Sequence, residues 1–90
     1  MPITLQLPPV LAREAGTSRA TVHGANVSEA LDGLDAQFPG LADRIRTELN
    51  EPRKHILIYV NDTEVRELDG LRTPLRDGDK LFIVAAVSGG

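Results

Sequence analysis

The two glycines that end the sequence, Gly89 and Gly90, are the residues whose type and place most suggest chemistry. Neither carries a Cβ, so a backbone ending in them threads a narrow slot and presents the Gly90 carboxylate to a second protein's active site without hindrance. Val87 and Ser88 lead into them as a spacer. Alone this signal is weak, because glycine at a terminus is commonly plain fraying. A carboxylate is also a poor electrophile, its resonance and charge both resisting attack, so acyl chemistry at Gly90 must begin with activation. No glycine-rich phosphate loop of the P-loop or Rossmann pattern occurs.

Other reactive side chains are few and poorly spaced. His23 and His55 lie in separate segments without ligand spacing, which makes them surface histidines rather than a metal site. Asp77 and Asp79 flank a glycine, but the twelve-residue calcium loop with its final Glu is absent, and the pattern reads as a turn. Ser28 and Ser88 have no neighbouring histidine and read as helix cap and tail spacer. The absence of cysteine removes disulfides, thiolate metal sites and thiol catalysis together, so any sulfur handled here cannot ride on a side-chain thiol.

The chain of 90 residues is long enough for one modest core and too short for a core plus a roomy internal active site. Hydrophobic residues at 41% and charged residues at 26% are ordinary for a globular domain and exclude a disordered chain or a coiled coil. The 13 acids against 10 bases give a net charge of -3, and no basic run exceeds Arg53-Lys54, so a nucleic-acid footprint is missing. Arg13, Arg19, Arg44, Arg46, Arg53 and Lys54 read as a solvated surface of which one or two meet an acidic partner. With neither an 18-residue apolar run nor a signal-like start, membrane association is not expected and a cytoplasmic location follows by default.

The elements that must position the tail follow from periodicity. Ile3 to Leu7 alternates as a half-buried strand and stops at Pro8-Pro9; Val10 to Arg19 has turn-like composition, and Ala20 to His23 is a second strand completing a loose hairpin. Asn26 with Glu29 marks a helix start, Val27, Leu31, Leu34 and Phe38 share one helix face, and Pro39-Gly40 ends it. Leu41, Ile45 and Leu49 suggest a second, short helix, and Ile56 to Val60 is the most strand-like run. Val65 opens a weak edge segment, Gly70-Leu71 turns, Gly78 takes a positive φ in the turn Arg76 to Asp79, and Leu81 to Ala85 is the last strand. One mixed sheet of four to five strands covered by one main helix is the economical packing, an α+β fold of β-grasp type. Residues 1–85 form that domain and 86–90 a C-terminal tail.

In this sheet Ile56, Ile58, Val60, Leu81, Ile83 and Ala85 face the helix, and period two turns Leu57, Tyr59, Phe82 and Val84 outward as an apolar docking face.

Three segments, Ile58-Tyr59-Val60-Asn61, Leu75-Arg76-Asp77-Gly78-Asp79 and Val87-Ser88-Gly89-Gly90, occur in the order and spacing of one family. Through them the chain resembles the ThiS/MoaD sulfur carriers, ubiquitin-like proteins of cofactor and amino-acid biosynthesis. The resemblance covers nearly the whole chain, and Val27 to Leu31 with Phe38 to Leu41 looks like the family's first helix and its end. The polar insertion Asn50 to His55, the segment Asp62 to Arg66 and the turn Gly70-Leu71 look more like the carrier for cysteine synthesis than the molybdopterin synthase small subunit. Ala85-Ala86, where many molybdopterin carriers have two prolines, departs from the latter.

The resemblance implies a protein cosubstrate rather than an enzyme. A partner similar to ubiquitin activators would use ATP to adenylate Gly90, sulfur would replace AMP, and the thiocarboxylate would serve a sulfur-accepting synthase. The carrier itself would hold neither cofactor nor metal. Alternatives are a molybdopterin synthase small subunit, a ubiquitin-like modifier whose Gly90 adenylate passes to lysine amines, or a β-grasp interaction module with an inert terminus.

Overall fold

Strand alternation and helical recurrence each bury one side of an element, and the fold is the way those sides meet. The computed structural model describes residues 2–85. The strands are β1 (Pro2–Gln6), β2 (Arg19–His23), β3 (Ile56–Val60), β4 (Thr63–Glu64) and β5 (Lys80–Ala85). Helix α1 (Pro9–Ala15) separates β1 from β2, and α2 (Val27–Gln37) follows β2. Short 3-10 turns occupy Ala42–Arg44, Val65–Glu67 and Gly70–Arg72. The sheet runs β2-β1-β5-β3-β4, with β1 and β5 parallel at its centre and the other neighbours antiparallel. This is the β-grasp fold.

Ile3, Leu5, Val22, Ile58 and Leu81 from the strands meet Val27, Ala30, Leu31 and Leu34 of α2 in one buried cluster. Each large side chain there contributes about 1.5–3 kcal/mol by leaving water. The start of α2 is built as its sequence requires. Asn26 Oδ1 accepts from Glu29 N at 2.8 Å, and Glu29 Oε1 accepts from Ala25 N at 3.0 Å, so both polar ends are satisfied. At the far end Asp35 Oδ1 accepts from Gly40 N at 2.9 Å, where Gly40 has φ 89.

Three local expectations are corrected. The stretch after Pro9 is a helix, not a loose hairpin turn: Pro9 starts it, Leu11 buries, Ala12 and Ala15 pack on the core, and the glycine, threonine and serine follow its end. Gly16, at φ 79, donates to Ala12 O at 2.8 Å and closes the helix, so the turn-like residues mark a C-cap. Leu41, Ile45 and Leu49 do not form a helix face. Leu41 and Ile45 are buried around the 3-10 turn, but Leu49 is 81% exposed at the tip of a hairpin. The edge pair opposite β3 is Thr63–Glu64, and Val65 is a buried residue starting a 3-10 turn.

Arg46 departs from the solvated surface expected of the basic residues. Its guanidinium donates to Asp32 Oδ1 at 2.5 Å, to Ser28 O at 3.1 Å and to Asn50 Oδ1 at 3.2 Å, tying the 46–52 hairpin to α2.

The cap of α2 generates a stability ranking. A Cβ built on Gly24 would stand 2.6 Å from Ala30 N and 2.9 Å from Glu29 C, both backbone atoms of the first turn. Gly24→Ala is expected to cost about 1–3 kcal/mol through enforced backbone displacement, and Asn26→Ala about 1 kcal/mol through loss of the cap. Urea unfolding midpoints with unchanged slopes check both values. A Gly24→Ala protein as stable as the parent would show that the turn yields without cost.

Candidate functional site

The tail residues Val87, Ser88, Gly89 and Gly90 lie outside the described residues; the surface from which they depart is described up to Ala85. That surface begins with strand register. Leu57 stands opposite Val84 and Tyr59 opposite Phe82 across the β3–β5 pair, which sets their Cβ atoms about 4.5–5.5 Å apart. Their neighbours Ile56, Ile58, Val60, Leu81 and Ile83 are buried beneath α2, so these four side chains occupy the opposite face. Leu57, Tyr59 and Phe82 are half-buried against one another, and Val84 is 40% exposed. Ala85 is half-buried and packs against the core.

Phe82 and Val84 also line an apolar groove of about 440 Å³ with Leu7, Pro8, Pro9 and Val10. It arises because β1 ends at Gln6, paired with Phe82, whereas β5 continues to Ala85. Proline has no amide hydrogen to extend the ladder, so the chain leaves the sheet and opens α1 instead. Val10, 55% exposed at the start of α1, is the groove residue that periodicity did not reveal. The signal was the run Leu7-Pro8-Pro9-Val10, apolar residues directly after a strand-breaking pair.

The polar part of the same face is cationic. A smaller depression of about 190 Å³ is lined by Thr4, Gln6, Arg19, Lys80 and Phe82, so it adjoins the apolar patch.

The residues set aside as unreactive have structural partners or stand alone. Ser28 Oγ accepts from Asn50 Nδ2 at 3.0 Å. Asp79 Oδ2 accepts from Arg76 N at 2.8 Å and its Oδ1 from Asn61 Nδ2 at 3.1 Å, which closes the turn around Gly78 at φ 89. His23 and His55 are exposed, and among the described residues no three His, Cys, Asp or Glu side chains stand together as metal ligands. Also among the described residues, no helix is long and apolar enough to cross a membrane.

The ThiS family profile matches residues 13–90. The sulfur carrier protein CysO of Mycobacterium tuberculosis is 31% identical over 93 residues, covering 100% of each chain. The small archaeal modifier protein 3 of Haloferax volcanii is 39% identical over 66 residues, 73% of this chain and 71% of that protein. A crystal structure of the Amycolatopsis orientalis BexX/CysO complex contains a chain that superposes with a TM-score of 0.90 at 34% identity, over 98% of this chain and 99% of that one. Full-length sequence identity, a family profile and the same β-grasp topology coincide, and the chain belongs to the ThiS family.

Proposed function

We propose that the protein is a cytoplasmic sulfur carrier whose Gly90 carboxylate is converted to a thiocarboxylate by a partner enzyme. The observation that supports this most is the full-length likeness to the CysO sulfur carriers in a chain ending in Gly89-Gly90. A partner of the ubiquitin-activator kind binds ATP, and a Gly90 oxygen attacks its α-phosphorus, releasing pyrophosphate and leaving an acyl adenylate. A sulfide-level sulfur then attacks the acyl carbon and AMP departs with that oxygen. The thiocarboxylate is a soft nucleophile that attacks an electrophilic acceptor on a synthase, such as an activated serine derivative in the making of cysteine. Hydrolysis of the resulting thioester returns the Gly90 carboxylate.

Recognition falls to the folded domain. Gly90 is five residues from Ala85, a span of at most about 18 Å when extended. A partner whose catalytic groups meet Gly90 must therefore lie close to the end of β5, where Leu57, Tyr59, Phe82 and Val84 form the apolar docking face. A second possibility, a modifier joined to lysine amines through the same adenylate, is favoured by the identity with small archaeal modifier protein 3.

Two measurements check this proposal. Intact mass after incubation with ATP, the cognate activating enzyme and sulfide is expected to rise by about 16 Da, as sulfur replaces oxygen, only in the chain whose glycine tail is complete. ATP-dependent adducts on lysines with no such gain would establish the modifier instead. Phe82→Ala and Val84→Asp are each expected to weaken binding to that enzyme about tenfold or more, read by calorimetry. Parental affinity in both variants would remove the docking role of this face.

A further inference from the structure

We infer that the docking face is read by charge as well as by apolar contact, and that Arg19 and Lys80 select a partner surface bearing carboxylates beside an apolar socket. This rests on the carrier function proposed above and names the chemistry of its partner.

The chain has 13 acidic residues, yet within the five strands the sole acid is Glu64, opposite Tyr59 at the β4 edge. Glu64 is already engaged, since Oε2 accepts from Arg66 N at 3.0 Å and Oε1 lies 3.5 Å from Arg66 Nη1. Arg19 and Lys80, in contrast, are exposed and line one depression with Phe82, and neither forms an ion pair among the described residues. Three further arginines have internal tasks, and Arg13, Arg72 and Arg76 lie outside the five strands. Arg44 meets Glu14 at 2.6 Å, Arg46 meets Asp32, and Arg53 donates to the carbonyl of Asp43. Asp79, next to Lys80 in sequence, spends both carboxylate oxygens on Arg76 N and Asn61 Nδ2.

A chain of net charge -3 thus carries an uncompensated cationic pair on its one apolar sheet face. A partner patch rich in carboxylates repels the acidic remainder and attracts this face, so it orients the carrier before contact. Screening confines that attraction to about 8–10 Å at ordinary ionic strength, so it acts on the final approach rather than at long range. A cationic or purely apolar partner patch gains no such selection and leaves two cations without partners at the interface.

The test is the association rate of the full chain with its cognate adenylating enzyme, by stopped flow, from low to moderate salt. Arg19→Gln and Lys80→Gln are each expected to slow association about three- to tenfold at low salt and to flatten its salt dependence, with the intact-mass gain retained at saturating enzyme. Arg72→Gln, on the 3-10 turn at Gly70–Arg72, is the matched charge control and is expected to behave as the parent. Circular dichroism confirms that each variant is folded. Parental rates and salt slopes in both the Arg19 and Lys80 variants, with Phe82→Ala still weakening binding, would overturn the charge selection and leave the carrier function standing. Failure of the parent chain both to bind and to gain mass would overturn the two together.

Discussion

Parallel pairing of the first and last strands is the constraint on which the rest depends. Leu5 sits opposite Leu81 and Gln6 opposite Phe82, so both strands run toward the same edge of the sheet. A parallel pair needs a long return connection, here everything between β1 and β5, and that connection supplies α2 and the whole covering layer. Parallel direction also settles where the two chain ends of this pair emerge. β1 stops at Pro8-Pro9, while β5 continues to Ala85, held on its other side by Ile56 of β3. β5 therefore ends in the middle of the sheet order, beside a groove walled by the prolines.

The same constraint divides the two faces. One α2 helix of eleven residues covers one side of five strands, and its Val27, Ala30, Leu31 and Leu34 exhaust the long apolar helix face available. The other side has to meet water or a partner. Sheets of this kind show polar residues outward as a rule, and β1 and β2 obey it with Thr4, Gln6, Arg19 and Thr21. β3 and β5 break it with Leu57, Tyr59, Phe82 and Val84, large side chains that stabilise nothing beneath the sheet. In the proposed carrier function they are the surface that a protein reaching for Gly90 would meet first.

Much of this was legible because period two and helix-capping chemistry are local. The two alternating sets of β3 and β5 followed from period two, the burial pattern fixes which set faces the helix, and the start of α2 followed from Asn26 with Glu29. What escaped was decided by tertiary contact. In α1 the helical signal is one apolar stripe, Leu11 with Ala12 and Ala15, too short to show periodicity and masked by the glycine, threonine and serine that terminate it. The spacing of Leu41, Ile45 and Leu49 imitates a helix. Yet Arg46 ties the hairpin to α2 through Asp32 and Ser28, contacts distant in sequence and invisible to a pattern. Arg46 itself looked like surface charge for the same reason. The groove beside Val10 depends on where β1 stops relative to β5, which is a property of pairing and not of either segment.

A domain this small spends nearly all its interior on being folded. The one buried polar side chain among the described residues is Thr73, whose hydroxyl donates to Gly70 O at 2.7 Å and accepts from Asp69 N at 3.1 Å. No buried side-chain polar atom among them lacks a partner. Catalytic sites ordinarily show the opposite, polar groups held unsatisfied or strained until substrate arrives. Among the described residues no such reserve of unpaired buried side-chain atoms is found, and the carrier function proposed above assigns reactivity to the main-chain carboxylate of Gly90 instead. A terminal glycine acyl group needs no precise orientation from its own fold, since the enzyme that activates it supplies the orientation. In that proposal the domain contributes at a distance: a rigid sheet face that binds first, without an ordering cost, would convert capture of the tail into an intramolecular step.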